Sequence, residues 1–162
     1  MDFLRITVLI LTTLTVGLMA GTFFVYSVAV MPGLRRTDDR TFVAAFQAVD
    51  RAIINPVFLS CFVGALAFTG AAVLLHLPGE ARSELPLVAA AFVLYLVTFG
   101  LTVRVNVPRN DALKAAGDPD RIADLAAVRR RFDEAGWTRA NHARTGLCLV
   151  ALGLLAWALA AR

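Results

Sequence analysis

The stretch WTRANHART, residues 137–145, places a ring, an amide and a guanidinium at helical spacing. At about 100° per residue, Trp137, Asn141, Arg144 and Cys148 fall on one narrow face, whereas His142 points roughly 100° away from Asn141. Such a face can wall a ligand site. It can also be an interfacial Trp anchor beside a snorkelling Arg. A second polar cluster, NVPRND at 106–111, sets two asparagines, an arginine and an aspartate around Pro108. Asn110 or Asp111 can cap a short helix over Ala112–Ala116, whereas Asn106 has no such cap role and is the more informative residue. Gln47, Asp50 and Asn55, in FQAVDRAIINP at 46–56, are the third group.

What brings these groups to one depth is a set of apolar helices. The 162-residue chain is 59% hydrophobic and only 17% charged, with a mean hydropathy of +0.71. That is far from the balance of a soluble globule. Ile6–Met31, Pro56–Gly79, Leu85–Val103 and Thr145–Ala161 carry no charge. A membrane-crossing helix needs about 20 such residues. The fold class expected is all-α: a four-transmembrane-helix bundle in one domain over 1–162, with spans at about 4–31, 56–77, 85–107 and 137–161. The first apolar run is too long for a signal-peptide core of roughly 7–15 residues.

Peripheral amphipathic helices are expected in the connections after spans 1 and 3. Thr37-Asp38-Asp39 offers a cap and first-turn acids, and Phe42, Phe46, Val49 and Ile53 then recur on one face. Gln47 and Asp50 lie to one side of that stripe, and Asn55-Pro56 opens the second span. In the other connection, Asp118-Pro119-Asp120 reads as a helix start. Ile122, Leu125, Ala126 and Val128 supply its apolar face, Arg129–Arg131 a solvated one, and Gly136 a hinge into the last helix. Pro108 is expected to stop the third span. The span glycines, including Gly17, Gly21, Gly64, Gly70, Gly146 and Gly153, read as packing seams within a chain or between copies, so a homo-oligomer is possible.

Four spans put both termini and the middle hairpin on one side with Arg5, Arg82 and Arg162. The other 13 of the 16 Lys and Arg residues lie on the opposite side, in the two long connections and the span ends that flank them. Basic excess marks the cytoplasmic face, so the long connections are expected in the cytoplasm and the termini outside, in a bacterial plasma membrane. A pI near 9.8 needs no nucleic acid to explain it, basic residues beside anionic lipid headgroups of the bilayer being sufficient. Cys61 and Cys148 form no CxxC and read as buried thiols. His76 and His142 end up at opposite membrane sides, on the order of 30 Å apart, and cannot share one haem within a chain. No HExxH or Glu-x-x-His pattern occurs, so neither metal nor organic cofactor is expected; His142 with Asp50 or Asp111 is the weaker metal reading.

MPGL (31–34), FQAVDRAIINP, NVPRND and WTRANHART together resemble the anthrone oxygenase-like family of small four-span membrane proteins. The resemblance spans nearly the whole chain through order and spacing rather than through one diagnostic motif. It implies a four-helix membrane bundle and, further, oxidation of polyketide-type polyphenolic anthrones to quinones by O2 without a recognised cofactor. On that reading Asp111 or Asp50 is the base, and Arg144 with Asn106 and Asn141 stabilises an oxyanion. Trp137 stacks on the ring system, with Gln47, Asn55 and Asn110 completing the small-molecule site. The alternatives are a lipid- or quinone-binding membrane protein or partner subunit, and a metal- or haem-dependent oxidase. A channel is disfavoured because no span carries a charge near its centre.

Overall fold

A computed structural model describes residues 2–77 and 80–161. Gly79, the end of the second apolar stretch, and Arg162, counted in the charge asymmetry, lie outside the described residues. Helix α1 (Asp2–Val25) continues through a π-helical turn (Tyr26–Val30) into α2 (Met31–Arg35). Then come α3 (Asp39–Ile53), α4 (Pro56–His76), a short 3-10 turn (Glu80–Ser83) and α5 (Leu85–Leu101). A second π turn (Thr102–Asn106) leads into α6 (Val107–Ala115), followed by α7 (Leu125–Phe132) and α8 (Glu134–Ala160). Among the described residues, four helical stretches are long and apolar enough to cross a membrane: Phe3–Arg35, Pro56–His76, Leu85–Ala115 and Leu125–Ala160. They form an all-helical four-span bundle in which α1 packs on α4, α4 on α5, α5 on α8 and α8 back on α1. Leu9, Val16, Met19, Ala65, Tyr95 and Leu155 are central to its core, while Leu14, Leu18, Val63, Leu74 and Val150 face outward, as lipid-facing side chains would.

Pro108 does not stop the third span. It sits in the first turn of α6, immediately after the π turn, and the helix runs on to Ala115. Within an α-helix, proline clashes with the carbonyl four residues back and leaves it unbonded. Here the turn is widened: Val107 N–H bonds Thr102 O, five residues back. The first span solves the same problem identically, with Met31 N–H on Tyr26 O just before Pro32. Each π turn rotates a polar residue into the bundle, Ser27 in one and Asn106 in the other, and both are buried.

Helix α3 starts where its sequence says. Asp38 caps it, accepting from Thr41 N at 3.0 Å and from the Thr41 hydroxyl at 2.6 Å. That hydroxyl, and then the amide, hold the Asp38 carboxyl below the usual carboxylate range. The buried face differs from the expected stripe, however. Phe42, Val43, Phe46, Gln47 and Asp50 point inward, and Val49 is 43% exposed. The reason is a second core, in which Met31, Phe42, Val43, Phe46, Leu113, Phe132 and Trp137 pack together over the bundle end.

The Asp118-Pro119-Asp120 segment is a turn rather than a helix start, with Asp118 carboxylate accepting Asp120 N at 3.0 Å. Helix α7 begins at Leu125, capped by Asp124. Within the Arg run, Arg130 and Arg131 are exposed as expected, whereas Arg129 is a clamp. It donates to Thr37 O and Asp39, reaches Glu134, and stacks 4.3 Å over the Phe42 ring. Among the span glycines, a Cβ on Gly17 would meet Leu152 at 3.5 Å and one on Gly70 would meet Phe92 at 3.5 Å. Gly21, Gly146 and Gly153 have open space there, and Gly64 faces only Phe68 of its own helix, so two of the six are seams within the chain.

Gly136 is not a hinge. Asp133, in the left-handed region at φ 52°, ends α7 and caps α8 in a single residue. Its Oδ1 accepts Gly136 N at 3.0 Å and its Oδ2 accepts Arg109 Nη2 at 2.7 Å. A Cβ at Gly136 would lie 2.1 Å from that Oδ2. Gly136→Ala should therefore cost about 1–3 kcal/mol by overpacking and loss of the cap. Thermal unfolding in detergent checks this, with Gly146→Ala as the control expected to leave the midpoint unchanged.

Candidate functional site

A cavity of about 220 Å³ lies between the bundle end and the second core. Its wall from α8 is the face read from WTRANHART: Trp137, Asn141 and Arg144 all line it and are all buried. Helical periodicity over a long, continuous helix fixes such a face, so the three arrive together. His142 is exposed on the other side of α8. Among the described residues no three His, Cys, Asp or Glu side chains come together as a metal-holding group.

Arg144 dominates the electrostatics. It is 4% exposed, donating from Nη1 to the Thr102 hydroxyl at 3.1 Å and from Nη2 to Asn141 Oδ1 at 2.8 Å. Its Cζ sits 4.3 Å over the Phe23 ring and 5.6 Å from that of Trp137. Its Nε is buried without a hydrogen-bond partner, and no described carboxylate forms an ion pair with it. A buried guanidinium lacking a counter-charge is costly, since desolvation is not offset. Asn141 is fixed from the other side, donating to Phe23 O at 2.9 Å and to the Ser27 hydroxyl at 2.8 Å. Thr145 extends that network to Ser27 at 3.0 Å. The first π turn thus holds the amide that holds the arginine.

The opposite wall comes from NVPRND and α3. Asn106 is 1% exposed and donates to Trp137 O at 3.3 Å, leaving its Oδ1 buried and unpartnered. Asn110 caps nothing. It bridges the two walls, donating to Asp50 Oδ1 at 2.7 Å and accepting from Trp137 Nε1 at 2.8 Å. Asp50 is buried and completes its coordination through Lys114 Nζ at 2.7 Å. Asp111 also lines the cavity, but its side chain is 61% exposed and pairs with Lys114 at 3.0 Å. Of the two carboxylates considered as a base, Asp50 is therefore the enclosed one.

Two expected site residues lie elsewhere. Asn55 is the α4 cap, with Oδ1 accepting Phe58 N at 3.0 Å and Nδ2 donating to Ala52 O. The residue before a proline at a helix start is a cap before it is anything else. Gln47 is buried as a clamp, its Nε2 donating to Leu113 O and Gly117 O and its Oε1 accepting from Arg51. It ties the end of α6 to α3 and does not line the cavity.

Conversely, Tyr26, Thr102 and Lys114 line the site without having been singled out from the sequence. For the first two a signal was present: each begins a π turn six residues ahead of a proline, in YSVAVMP and TVRVNVP. Lys114, four residues after Asn110 in a segment assigned to a capped helix, carried none. The aromatic part of the lining includes Phe23, Phe46, Phe58 and Phe62 as well as Trp137. The arrangement can hold a flat aromatic molecule between rings, place an oxygen anion against Arg144 and hold a carboxylate within the same enclosure.

Comparison with known proteins adds one match. The family described as anthrone oxygenase matches residues 58–154, more than half of the chain. The match takes in Asn106, Asn110, Asp111, Trp137, Asn141 and Arg144, and stops short of α1 and α3. No curated protein and no solved structure matches the chain.

Proposed function

The chain belongs to the anthrone oxygenase family, and on that premise we propose that it is a membrane oxygenase converting an anthrone-like polyphenol to a quinone with O2, Arg144 stabilising the anion formed on the way. The observation that carries this reading is the buried Arg144 guanidinium, lining an aromatic cavity without a carboxylate partner among the described residues. A site built around an uncompensated positive charge is complementary to a negative charge that develops during reaction.

The substrate carbon is a CH2 flanked by two aryl rings and conjugated to a ketone. Asp50 takes one of its protons, and the enolate oxygen that results lies against Arg144. One electron passes from the enolate to O2, giving a substrate radical and superoxide. Their recombination forms a C–O bond and a hydroperoxide anion, which takes the proton back from Asp50. Loss of water then breaks the O–O bond as the second C–H proton leaves, so one O2 is reduced and one water released per C=O formed. Asn141 fixes the guanidinium, the unpartnered Oδ1 of Asn106 accepts a substrate hydroxyl, Asn110 fixes Asp50, and Trp137 with Phe23 stacks on the rings.

Oxygen uptake by purified protein against a panel of anthrones tests the reading, with quinone formed in equal amount. Co-purifying lipid or quinone with no uptake on any anthrone would favour a binding protein instead, and an absorption spectrum with elemental analysis would reveal a haem or metal oxidase. The same proposal places the long connections in the cytoplasm of a bacterial cell. In a Cys61→Ser background, Arg121→Cys should react with an impermeant maleimide only in inverted vesicles and Arg82→Cys only in intact cells. The reverse pattern would invert the topology.

A further inference from the structure

The cavity lies between the two packed cores and is lined in part by exposed residues. Above it, Phe46 and Trp137 belong to the second core, whose members are all buried. That core is pinned by Arg129 on Asp39 and by Arg109 on Asp133. Below it, the Phe58, Phe62 and Phe99 rings stack at 6.0 and 5.0 Å, and Tyr95 hydroxyl donates to Phe62 O at 2.8 Å. The ion pairs of Lys114 with Asp50 and Asp111 span the polar part of the rim. What remains exposed among the other lining residues is apolar: Ile54 at 55%, Leu59 at 41% and Val107 at 39%. Leu59 lies in the first turn of a membrane-crossing helix, and Val107 follows the π turn of another. Exposed Arg51 and Arg104 sit near them in sequence, at the level where cationic side chains meet headgroups.

We infer that the site draws its ligand from the bilayer, through a lateral portal framed by Ile54, Leu59 and Val107, and that this ligand is an uncharged, membrane-partitioned molecule. The inference rests on the proposed function only for what happens after entry. The apolar part of the rim offers nothing to an anion, the Lys114 ammonium on its polar part is already held by Asp50 and Asp111, and a charged molecule is poorly soluble among acyl chains. The negative charge that complements Arg144 is therefore generated inside, once the neutral molecule has passed the rim. Water-soluble conjugates of the same ring system are excluded by the same geometry.

The portal can be tested without turnover. In a Cys61→Ser, Trp157→Phe protein reconstituted in lipid vesicles, Trp137 is the single tryptophan. Its emission should be quenched by an apolar nitroxide dissolved in the bilayer and should be insensitive to iodide in the water. Attaching pyrene maleimide to Leu59→Cys should cut the nitroxide quenching at least tenfold, whereas the same label on lipid-facing Val150→Cys should leave it unchanged. Strong iodide quenching, or nitroxide quenching equal in the two labelled proteins, would overturn the portal. A portal that behaves as described in a protein without oxygen uptake would leave this inference standing and sink the oxygenase reading alone.

Discussion

Arg144→Gln should lower anthrone turnover by at least about 10²-fold, the usual cost of removing one donor from a developing oxyanion. The same substitution should raise, or at least not lower, the thermal midpoint of the ligand-free protein. The second half of this prediction comes from the environment. Arg144 is buried, its Nε has no partner and no described carboxylate offsets its charge. A structural arginine would show the opposite pattern, because deleting one member of a satisfied network leaves the rest unpaired. Glutamine keeps an amide for the Thr102 hydroxyl and Asn141 Oδ1 while deleting the charge. Arg144→Lys, a compact point charge without the planar fork, should recover part of the turnover and little of the geometry. Measuring oxygen uptake and melting on the same preparations separates the cases. Loss of stability with unchanged turnover would make Arg144 a packing residue and end its role here.

The second large effect falls on Asp50. Asp50→Asn should reduce turnover by roughly 10²–10⁴-fold, the range for losing a positioned general base. Asp111→Asn should stay within about twofold, because most of that side chain lies in solvent. The contrast follows from position. Asp50 is held at 2.7 Å by both Asn110 and Lys114 inside the enclosure, whereas Asp111 stands at the rim and is 61% exposed. Asparagine at 50 preserves shape and leaves Lys114 paired with Asp111, so the variant should remain folded. Equal losses from the two variants would move the base elsewhere. Trapping the enolate spectroscopically in the Asp50→Asn protein would do so as well.

Both predictions concern residues that were visible in the sequence, but their ranking was not. Trp137, Asn141 and Arg144 could be aligned by periodicity because α8 is one unbroken helix over that stretch. Four uncharged stretches were enough for the bundle, since crossing a membrane demands length and apolarity that little else in a sequence mimics. The caps at Asp38 and Asn55-Pro56 were equally legible, being local hydrogen-bond chemistry.

The limits were set wherever a residue's partner lies far along the chain. Pro108 read as a stop, because the widened turn that accommodates it exists only while the bundle holds the helix on course. Val49 belonged to the expected stripe, yet the second core, built from α2, α3, α6, α7 and α8, turned α3 so that Gln47 and Asp50 went inward instead. Gln47 and Asn55 then differ from Asp50 only in what meets them. Backbone carbonyls take the Gln47 amide and a helix amide takes Asn55, while Asp50 meets a cavity. The sequence by itself determined a four-span membrane bundle and the polar face of its last helix, because periodicity and hydropathy act locally. Only the tertiary structure decided which carboxylate is enclosed, which amides are clamps and that no described carboxylate pairs with Arg144. Those are relations between segments as far as 118 positions apart, the separation of Asn141 from Phe23, and no local rule encodes them.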